Sequence, residues 1–169
     1  TAVQEDLNID LSGTHITLLG AGGAARGAAV ECLQRGCASL HIANRTAANR
    51  DALIAQLQPI KGDIPVNGFS PQDIPQDLPA NTLVINATSA GLKAGDPLPV
   101  DLKALPKPCG VFDMIYNPAE TKLLAAAAAQ GISIANGLSM LIHQGVRALE
   151  IWSDTAVPVD AMRRAVIAK

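Results

Sequence analysis

Short, uniformly apolar runs alternate along the chain with longer segments whose apolar residues recur every three or four positions. The short runs are typical of strands buried on both faces, and the longer segments are typical of amphipathic helices. This alternation predicts an α/β fold: a doubly wound, six-stranded parallel sheet with helices on both faces and strand order 3-2-1-4-5-6. The predicted strands are 15–19, 39–43, 65–69, 82–86, 109–114 and 132–135.

The helices between these strands have recognisable start signals. Asn117 is a good N-cap, because Pro118 suits the first helical turn and Glu120 stands three residues after the cap. The first long helix has its small and apolar residues on one face, so it can lie close to the sheet. The expected helices are 26–35, 46–57, 117–131, 137–152 and a short one after Pro158.

The last long helix has apolar residues on two faces. One face, which we expect to meet the sheet, consists of Leu138, Leu141, Ile142, Gly145, Leu149 and Trp152. Gly137, Met140, Gln144, Arg147 and Ile151 lie on roughly the opposite face. A face that only meets solvent would not need the apolar side chains of Met140 and Ile151. We interpret this second face as a contact with a ligand or another domain, the alternative being that Gln144 is an inert, exposed side chain.

The segment Gly20-Ala21-Gly22-Gly23-Ala24-Ala25 joins the first predicted strand to the first long helix. Gly20 permits the tight turn off the strand, Gly22 lets a diphosphate approach the backbone, and Ala25 keeps the helix close to the strand. The free N–H groups at the helix start then face an anion. This turn predicts a Rossmann-type dinucleotide site, the alternative being an ordinary glycine-rich turn.

The end of the second strand indicates which dinucleotide is bound. An NAD site usually has an acidic residue there, about 20 residues beyond the glycines, for the ribose hydroxyls. This chain instead has Asn44-Arg45-Thr46, with Arg50 at the start of the next helix. Arginines at a helix start oppose the helix dipole unless an anion lies between them. We therefore predict NADP, with Arg45 and Arg50 clamping a phosphate; the alternative is that both are solvated surface residues.

Composition excludes several other functions. Of the 169 residues 49% are hydrophobic and the formal net charge is −2, so neither nucleic acid nor an anionic membrane is an expected partner. No apolar stretch approaches the roughly 18 residues of a membrane span. Cys32, Cys37 and Cys109 lack metal-ligand spacing, and their odd number fits a reducing, cytoplasmic setting. We expect no metal site, and the sequence gives no prediction of oligomeric state.

Further motifs follow the glycine turn in order. They are Asn44-Arg45-Thr46, Asn86-Ala87-Thr88-Ser89-Ala90-Gly91, Phe112-Asp113-Met114-Ile115-Tyr116-Asn117-Pro118 and Asn136-Gly137-Leu138-Ser139-Met140-Leu141-Ile142-His143-Gln144. Together with the glycine turn they resemble, over nearly the whole chain, the NADP-binding domain of the shikimate dehydrogenase family. The resemblance implies one Rossmann domain over 1–169 and the reversible reduction of 3-dehydroshikimate to shikimate by NADPH, in the biosynthesis of aromatic amino acids.

The resemblance also implies a role for each matching residue. In the family the residue three after the Thr is Arg or Lys, whereas this chain has Asn49 there and Arg50 one position later. Tyr116 and Gln144 would reach bound shikimate. The cofactor residues would be Gly20, Ala21, Gly22, Gly23, Ala24, Asn44, Arg45, Thr46 and Arg50 at the adenosine and diphosphate, and Asn86, Thr88, Ser89, Met114, Gly137 and Met140 toward the nicotinamide.

The residues themselves support the position of this site. Asn86 and Met114 end predicted strands and Gly137 follows one, so all three fall at the carboxyl edge of the sheet, where doubly wound folds bind ligands. For Met114, core packing is an equally good explanation. Asp113 is better explained as stabilising a turn than as binding substrate.

The catalytic Lys and Asp of the family belong to an N-terminal substrate domain that nothing in this chain matches. We therefore assign no catalytic residue and expect a separated cofactor domain, whose parent is an enzyme and which alone turns over little or nothing. Shikimate or 3-dehydroshikimate would bind together with the missing domain. Two alternatives stay open: a stand-alone NADP-binding module that senses or regulates, and a relative that uses quinate.

Overall fold

The computed structural model describes residues 1–167, and its centre is a single six-stranded sheet. The strands are β1 (His15–Leu19), β2 (Ser39–Ala43), β3 (Val66–Phe69), β4 (Leu83–Asn86), β5 (Gly110–Asp113) and β6 (Ser133–Ala135). All neighbours pair in parallel, in the order β3-β2-β1-β4-β5-β6. The predicted doubly wound, Rossmann-type fold is therefore confirmed.

Helices cover the sheet on both faces, as the alternating pattern predicted. The helices are α1 (Ala2–Leu7), α2 (Gly23–Gln34), α3 (Ala47–Leu57), α4 (Lys122–Ala128), α5 (Leu138–Ser153) and α6 (Val159–Ile167). The inward face of α2 consists of Ala25, Ala29, Cys32 and Leu33, all buried. Since two of these four side chains are single methyl groups, α2 lies close to the strands. Within residues 1–167 no helix combines the length and apolarity that crossing a membrane requires.

The core consists of two apolar layers separated by the sheet. On β1, Ile16 and Leu18 are fully buried in the layer beneath α2 and α3, whereas Leu19 points into the opposite layer. The second layer is covered by α4 and by the segment 100–105. Burial on both faces explains why the strands read as continuous apolar runs rather than as alternating ones.

The strand order reverses at β1, which lies between β2 and β4. Two backbone hydrogen bonds continue the ladder past the strand ends: Gly20 N–H donates to the Ala43 carbonyl at 2.8 Å, and Ala87 N–H donates to the Leu19 carbonyl at 2.9 Å. The loops that leave β1 and β4 therefore start side by side at the carboxyl edge. This is the position at which doubly wound sheets bind ligands.

The structure corrects the predicted start of α4. The helix begins at Lys122 rather than after Asn117, and its N-cap is Thr121, whose Oγ1 accepts a hydrogen bond from Leu124 N–H at 3.3 Å. Thr121 rather than Asn117 is the N-cap because the Thr121 hydroxyl is also held by donating to the buried carboxylate of Asp113 at 2.7 Å. The cap signal at 117–120 does not include this hydrogen bond to Asp113, which lies in β5.

The structure also corrects the predicted inner face of α5. Ile142 is buried as predicted, but Leu141 and Leu149 are exposed and Trp152 is 81% exposed, while Val146, which the predicted face did not include, is buried. The reason is that α5 packs on α1 and α6, so its buried face is set by neighbouring helices. Helical periodicity reports that a face is apolar but not which neighbour covers it.

Candidate functional site

The residues nominated from the sequence gather along the carboxyl edge of the sheet. Gly20 follows β1, Asn44 follows β2, Asn86 ends β4, Met114 follows β5 and Gly137 lies two residues after β6. Because all strands are parallel, their carboxyl ends meet at one edge. The sheet topology thus brings together groups that are more than a hundred residues apart in sequence.

The turn between β1 and α2 is shaped by its small residues. Gly20 has a φ of +110°, and a Cβ there would lie 3.0 Å from the Ala87 carbonyl oxygen and 3.1 Å from Thr88 Cγ2. A side chain would therefore be strained by the backbone and would also press on the loop after β4. Ala21 is buried beneath the turn. The glycine thus holds the β1 and β4 loops together.

The start of α2 is open. Gly22 is its N-cap and provides no side-chain hydrogen bond, and a Cβ at Gly22 or at Gly23 would meet nothing within 4 Å. Gly22, Gly23 and Ala24 are exposed. The first N–H groups of a helix have no intrahelical acceptor, and the positive end of the helix dipole lies there. This end of the site therefore fits an anion such as a diphosphate.

The end of β2 presents a second group of polar residues. Asn44 Nδ2 donates to the Thr46 carbonyl at 2.9 Å, which turns the chain into α3. Thr46 is the predicted N-cap of α3, but its hydroxyl makes no capping hydrogen bond. Arg45 and Thr46 are exposed. Their side chains are thus accessible to a ligand from solvent.

Arg50 differs from Arg45 in its surroundings. Its side chain is only 18% exposed, and its Nε donates to Asp51 Oδ1 at 2.8 Å. It lies on α3 one turn after Thr46, whose carbonyl accepts the Arg50 backbone N–H at 3.2 Å. The guanidinium therefore belongs to the same corner of the sheet as Arg45, but it is held by packing.

The loop after β4 is fixed by Asn86, which is fully buried. Asn86 Oδ1 accepts from Thr88 N–H at 3.1 Å and from Thr88 Oγ1 at 2.7 Å. Thr88 Oγ1 in turn accepts from Ala90 N–H at 3.1 Å. These bonds already occupy the polar atoms of Asn86 and Thr88, while Ser89 is exposed. Of the three nominated residues in this loop, Ser89 alone keeps its side chain at the surface.

Asp113 is a fully buried carboxylate that joins two loops. Its Oδ1 accepts from Asn86 Nδ2 at 2.9 Å and from Ile115 N–H at 3.0 Å, and its Oδ2 accepts from Thr121 Oγ1 at 2.7 Å. Burial raises the pKa of Asp113, and the three hydrogen bonds oppose that rise. The turn-stabilising role predicted for Asp113 is confirmed. The sequence analysis did not predict its hydrogen bond to Asn86. The signal that could have indicated it is that two neighbouring apolar strands, β4 and β5, each end in a polar residue.

Gly137 and Met114 are in contact. A Cβ at Gly137 would overlap the carbonyl group of Met114, and Gly137 N–H donates to the Ile115 carbonyl at 3.1 Å. Met114 and Met140 both pack against the main apolar core while staying partly exposed. Close packing of the chain thus accounts for the glycine at 137, and it sets the Met114 segment against the start of α5.

The two residues nominated for substrate lie farther out. Tyr116 is 48% exposed and Gln144 is exposed on α5. Within residues 1–167 neither side chain has a hydrogen-bond partner. Both are therefore available to a ligand or to another part of the protein. Among the same residues no three His, Cys, Asp or Glu side chains are grouped as metal ligands.

Comparison with known proteins shows which family the chain resembles. The family described as Shikimate / quinate 5-dehydrogenase matches residues 1–94, and the Shikimate 5'-dehydrogenase C-terminal domain matches residues 137–167. A shikimate dehydrogenase (NADP(+)) from Rhodopseudomonas palustris (strain TIE-1) is 40% identical over 157 residues, which are 90% of this chain and 53% of that protein. The chain thus spans about half the length of the curated relatives it matches.

The chain is also similar in structure to solved shikimate and quinate dehydrogenases. A quinate dehydrogenase from Corynebacterium glutamicum in complex with NAD has a TM-score of 0.85 at 28% identity, covering 99% of this chain and 59% of that one. A shikimate 5-dehydrogenase from Listeria monocytogenes in complex with shikimate and NAD has a TM-score of 0.83 at 30% identity, covering 97% and 59%. A shikimate dehydrogenase in complex with NADP+ has a TM-score of 0.81 at 31% identity, covering 99% and 58%.

Proposed function

The chain belongs to the shikimate dehydrogenase family and corresponds to its NAD(P)-binding region, and we propose that it is the cofactor-binding part of an NADP-dependent shikimate dehydrogenase. The parent enzyme would reduce 3-dehydroshikimate to shikimate with NADPH, reversibly. Relatives of both cofactor types are known, since the structures described above hold NAD in two cases and NADP+ in a third. The choice of NADP therefore has to be argued from this chain.

The observation that carries the choice is the end of β2. No acidic side chain stands at 44–46 to accept hydrogen bonds from a ribose; Arg45 and Thr46 are exposed there instead. A guanidinium and a hydroxyl at a helix start provide donors for a phosphate on the ribose 2′ position. Without an anion, Arg45 would lie unfavourably beside the positive end of α3.

The rest of the edge fits the remaining parts of a dinucleotide. The open start of α2 at Gly22 and Gly23 would take the diphosphate on backbone N–H groups. From there the cofactor would cross the β1–β4 switch point toward Asn86 and Met114, where the nicotinamide ring would lie. A bound cofactor would supply the hydride. The partly exposed Met114 would hold the ring and exclude water, whereas the buried Asn86 would act by fixing the loop after β4.

Substrate would be held partly by this chain. Tyr116 and Gln144 are exposed, polar and without partners among residues 1–167, which suits a polyhydroxylated ligand. We assign no catalytic residue here, and the proposed reaction requires groups that lie outside the sequence given. Cys32, Cys37 and Cys109 are free, which accords with the cytoplasmic setting that forms part of the proposal.

Two other functions remain as competing proposals. A quinate-using relative is favoured by the likeness to the Corynebacterium glutamicum enzyme, and the substrate contacts of residues beyond this chain would decide between them. A stand-alone NADP-binding module without chemistry would use the same cofactor groups. The stand-alone module would share the expected preference for NADP, whereas the quinate dehydrogenase named above is in complex with NAD.

Calorimetric titration of the purified chain with NADPH and NADH tests the proposal. We expect NADPH to bind tighter, and Arg45→Ala to weaken NADPH binding about tenfold while leaving NADH unchanged, because a charge-assisted hydrogen bond contributes about 1.5–3 kcal/mol. Arg35→Ala is the matched control, since Arg35 is exposed but pairs with Glu31 at the other end of α2. Equal affinities for the two cofactors would contradict the NADP assignment, and binding of neither would contradict the site.

A further inference from the structure

Strand β3 contains a glycine one residue before its end, and Arg50 occupies the space above it. A Cβ at Gly68 would lie 2.6 Å from Arg50 Cδ, 2.9 Å from Arg50 Nε and 2.7 Å from Ile54 Cδ1. Gly68 is not among the glycines with positive φ, so its backbone conformation does not require glycine. A side chain is therefore disfavoured at 68 because the Arg50 and Ile54 side chains already occupy the space above the strand.

This contact lies beside the ribose end of the proposed cofactor site. Gly68 pairs with Ile42, and the next pair along the ladder is Phe69 with Ala43. The Phe69 carbonyl then accepts a hydrogen bond from Asn44 N–H at 3.2 Å, which joins the end of β3 to the 44–46 segment. Arg50 Cδ and Nε thus lie above Gly68, one residue before the end of β3 that is hydrogen-bonded to the 44–46 segment.

The guanidinium retains donors in this position. Its Nε donates to Asp51, a side chain that is 60% exposed, whereas its two terminal amino groups have no partner within residues 1–167. An ion pair with an exposed carboxylate contributes little to fixing a side chain. The low exposure of Arg50 shows that its aliphatic stem is held mainly by packing over Gly68 and against Ile54.

We propose that Gly68 is a specificity-determining residue that positions Arg50, so that Arg50 and Arg45 together recognise a phosphate on the ribose 2′ position. This inference rests on the proposed function and deepens it. The supporting geometry is that Arg50 Cδ and Nε lie above Gly68, one residue before the end of β3 that is hydrogen-bonded to Asn44. Gly68 acts through Arg50 and need not touch the ligand.

The test is the ratio of NADPH to NADH affinity in Arg50→Gln, Gly68→Ala and the double variant, measured by calorimetry on the 169-residue chain. Arg50→Gln should lower NADPH affinity about tenfold and leave NADH unchanged. Gly68→Ala should lower NADPH affinity about threefold to tenfold, because its Cβ displaces the flexible end of Arg50. The double variant should fall no further than Arg50→Gln, since residues that act through each other are not additive.

Gly27→Ala is the matched control, because Gly27 lies exposed on α2 with nothing within 4 Å of a Cβ. It should leave the ratio unchanged. If the parent chain prefers NADPH and Arg45→Ala removes that preference, but Arg50→Gln and Gly68→Ala retain it, this inference is wrong and the proposed function stands. If the parent chain shows no preference, both are wrong. Additive losses in the double variant would likewise overturn the positioning role of Gly68.

Discussion

The two halves of the carboxyl edge are built in opposite ways. In the first half, formed by 20–24 and 44–46 after β1 and β2, the polar groups at the helix starts are open. In the second half, formed by 86–91 and 113–121 after β4 and β5, polar side chains satisfy one another around Asp113. We call these the open half and the closed half.

The difference teaches what each half contributes to binding. The open half has unused N–H groups, hydroxyls and a guanidinium, so a ligand can supply the missing partners. In the closed half the buried polar groups around Asp113 already have their hydrogen bonds, so they offer a fixed surface, and new bonds to a ligand would come from exposed side chains such as Ser89 and Tyr116. Under the proposed function, cofactor identity would therefore be decided in the open half, and ring placement would depend on the rigidity of the closed half.

The largest expected effect is on the closed half. Asp113→Ala should destabilise the chain by about 2–4 kcal/mol, because it leaves Asn86 Nδ2, Ile115 N–H and Thr121 Oγ1 without their acceptor in a buried region. Urea unfolding followed by circular dichroism measures the loss. Asp63→Ala, which removes an exposed carboxylate, is the control and should change stability by less than about 0.5 kcal/mol. Similar values for the two variants would show that Asp113 does not organise this half.

A smaller effect separates two threonines at helix starts. Thr121 caps α4 with a hydrogen bond to Leu124 N–H and also donates to Asp113, whereas Thr46 at the N-cap of α3 makes no side-chain cap bond. Thr121→Ala should cost about 1–2 kcal/mol and Thr46→Ala less than about 0.5 kcal/mol, in thermal unfolding without ligand. With saturating NADPH present, Thr46→Ala should show the larger loss of ligand-induced stabilisation. The reverse order in either condition would break the distinction between the halves.

The parts predicted from sequence are those that local patterns determine. The strands lie within one residue of their predicted bounds, because a short run buried on both faces leaves little freedom. The glycine turn was found because Gly20 and Gly22 have backbone roles that a sequence displays directly. The start of α4 was wrong, and the bond between Asn86 and Asp113 was missed, because both depend on partners distant in sequence. The inner face of α5 was right at Ile142 and wrong at Leu141, Leu149 and Trp152, because its neighbours are helices that periodicity does not identify.

The seat of Arg50 shows the same limit at the site itself. The sequence displays two arginines near the end of β2 but not that Gly68, 18 residues after Arg50, leaves room for one of them. Pairing of β3 with β2 creates that relation. Which residues carry charge is therefore visible in the sequence, whereas how they are held requires the sheet.

Amide hydrogen exchange with and without NADPH tests the central claim most directly. In the free chain, the Thr88, Ala90 and Ile115 amides donate to side chains and should exchange slowly, whereas those of Gly23 and Ala24 at the α2 start should exchange fast. NADPH should slow exchange at Gly23 and Ala24 by more than about tenfold, while Thr88, Ala90 and Ile115 change little. Fast exchange at Thr88 and Ile115 in the free chain, with protection gained there rather than at Gly23 and Ala24, would contradict the account.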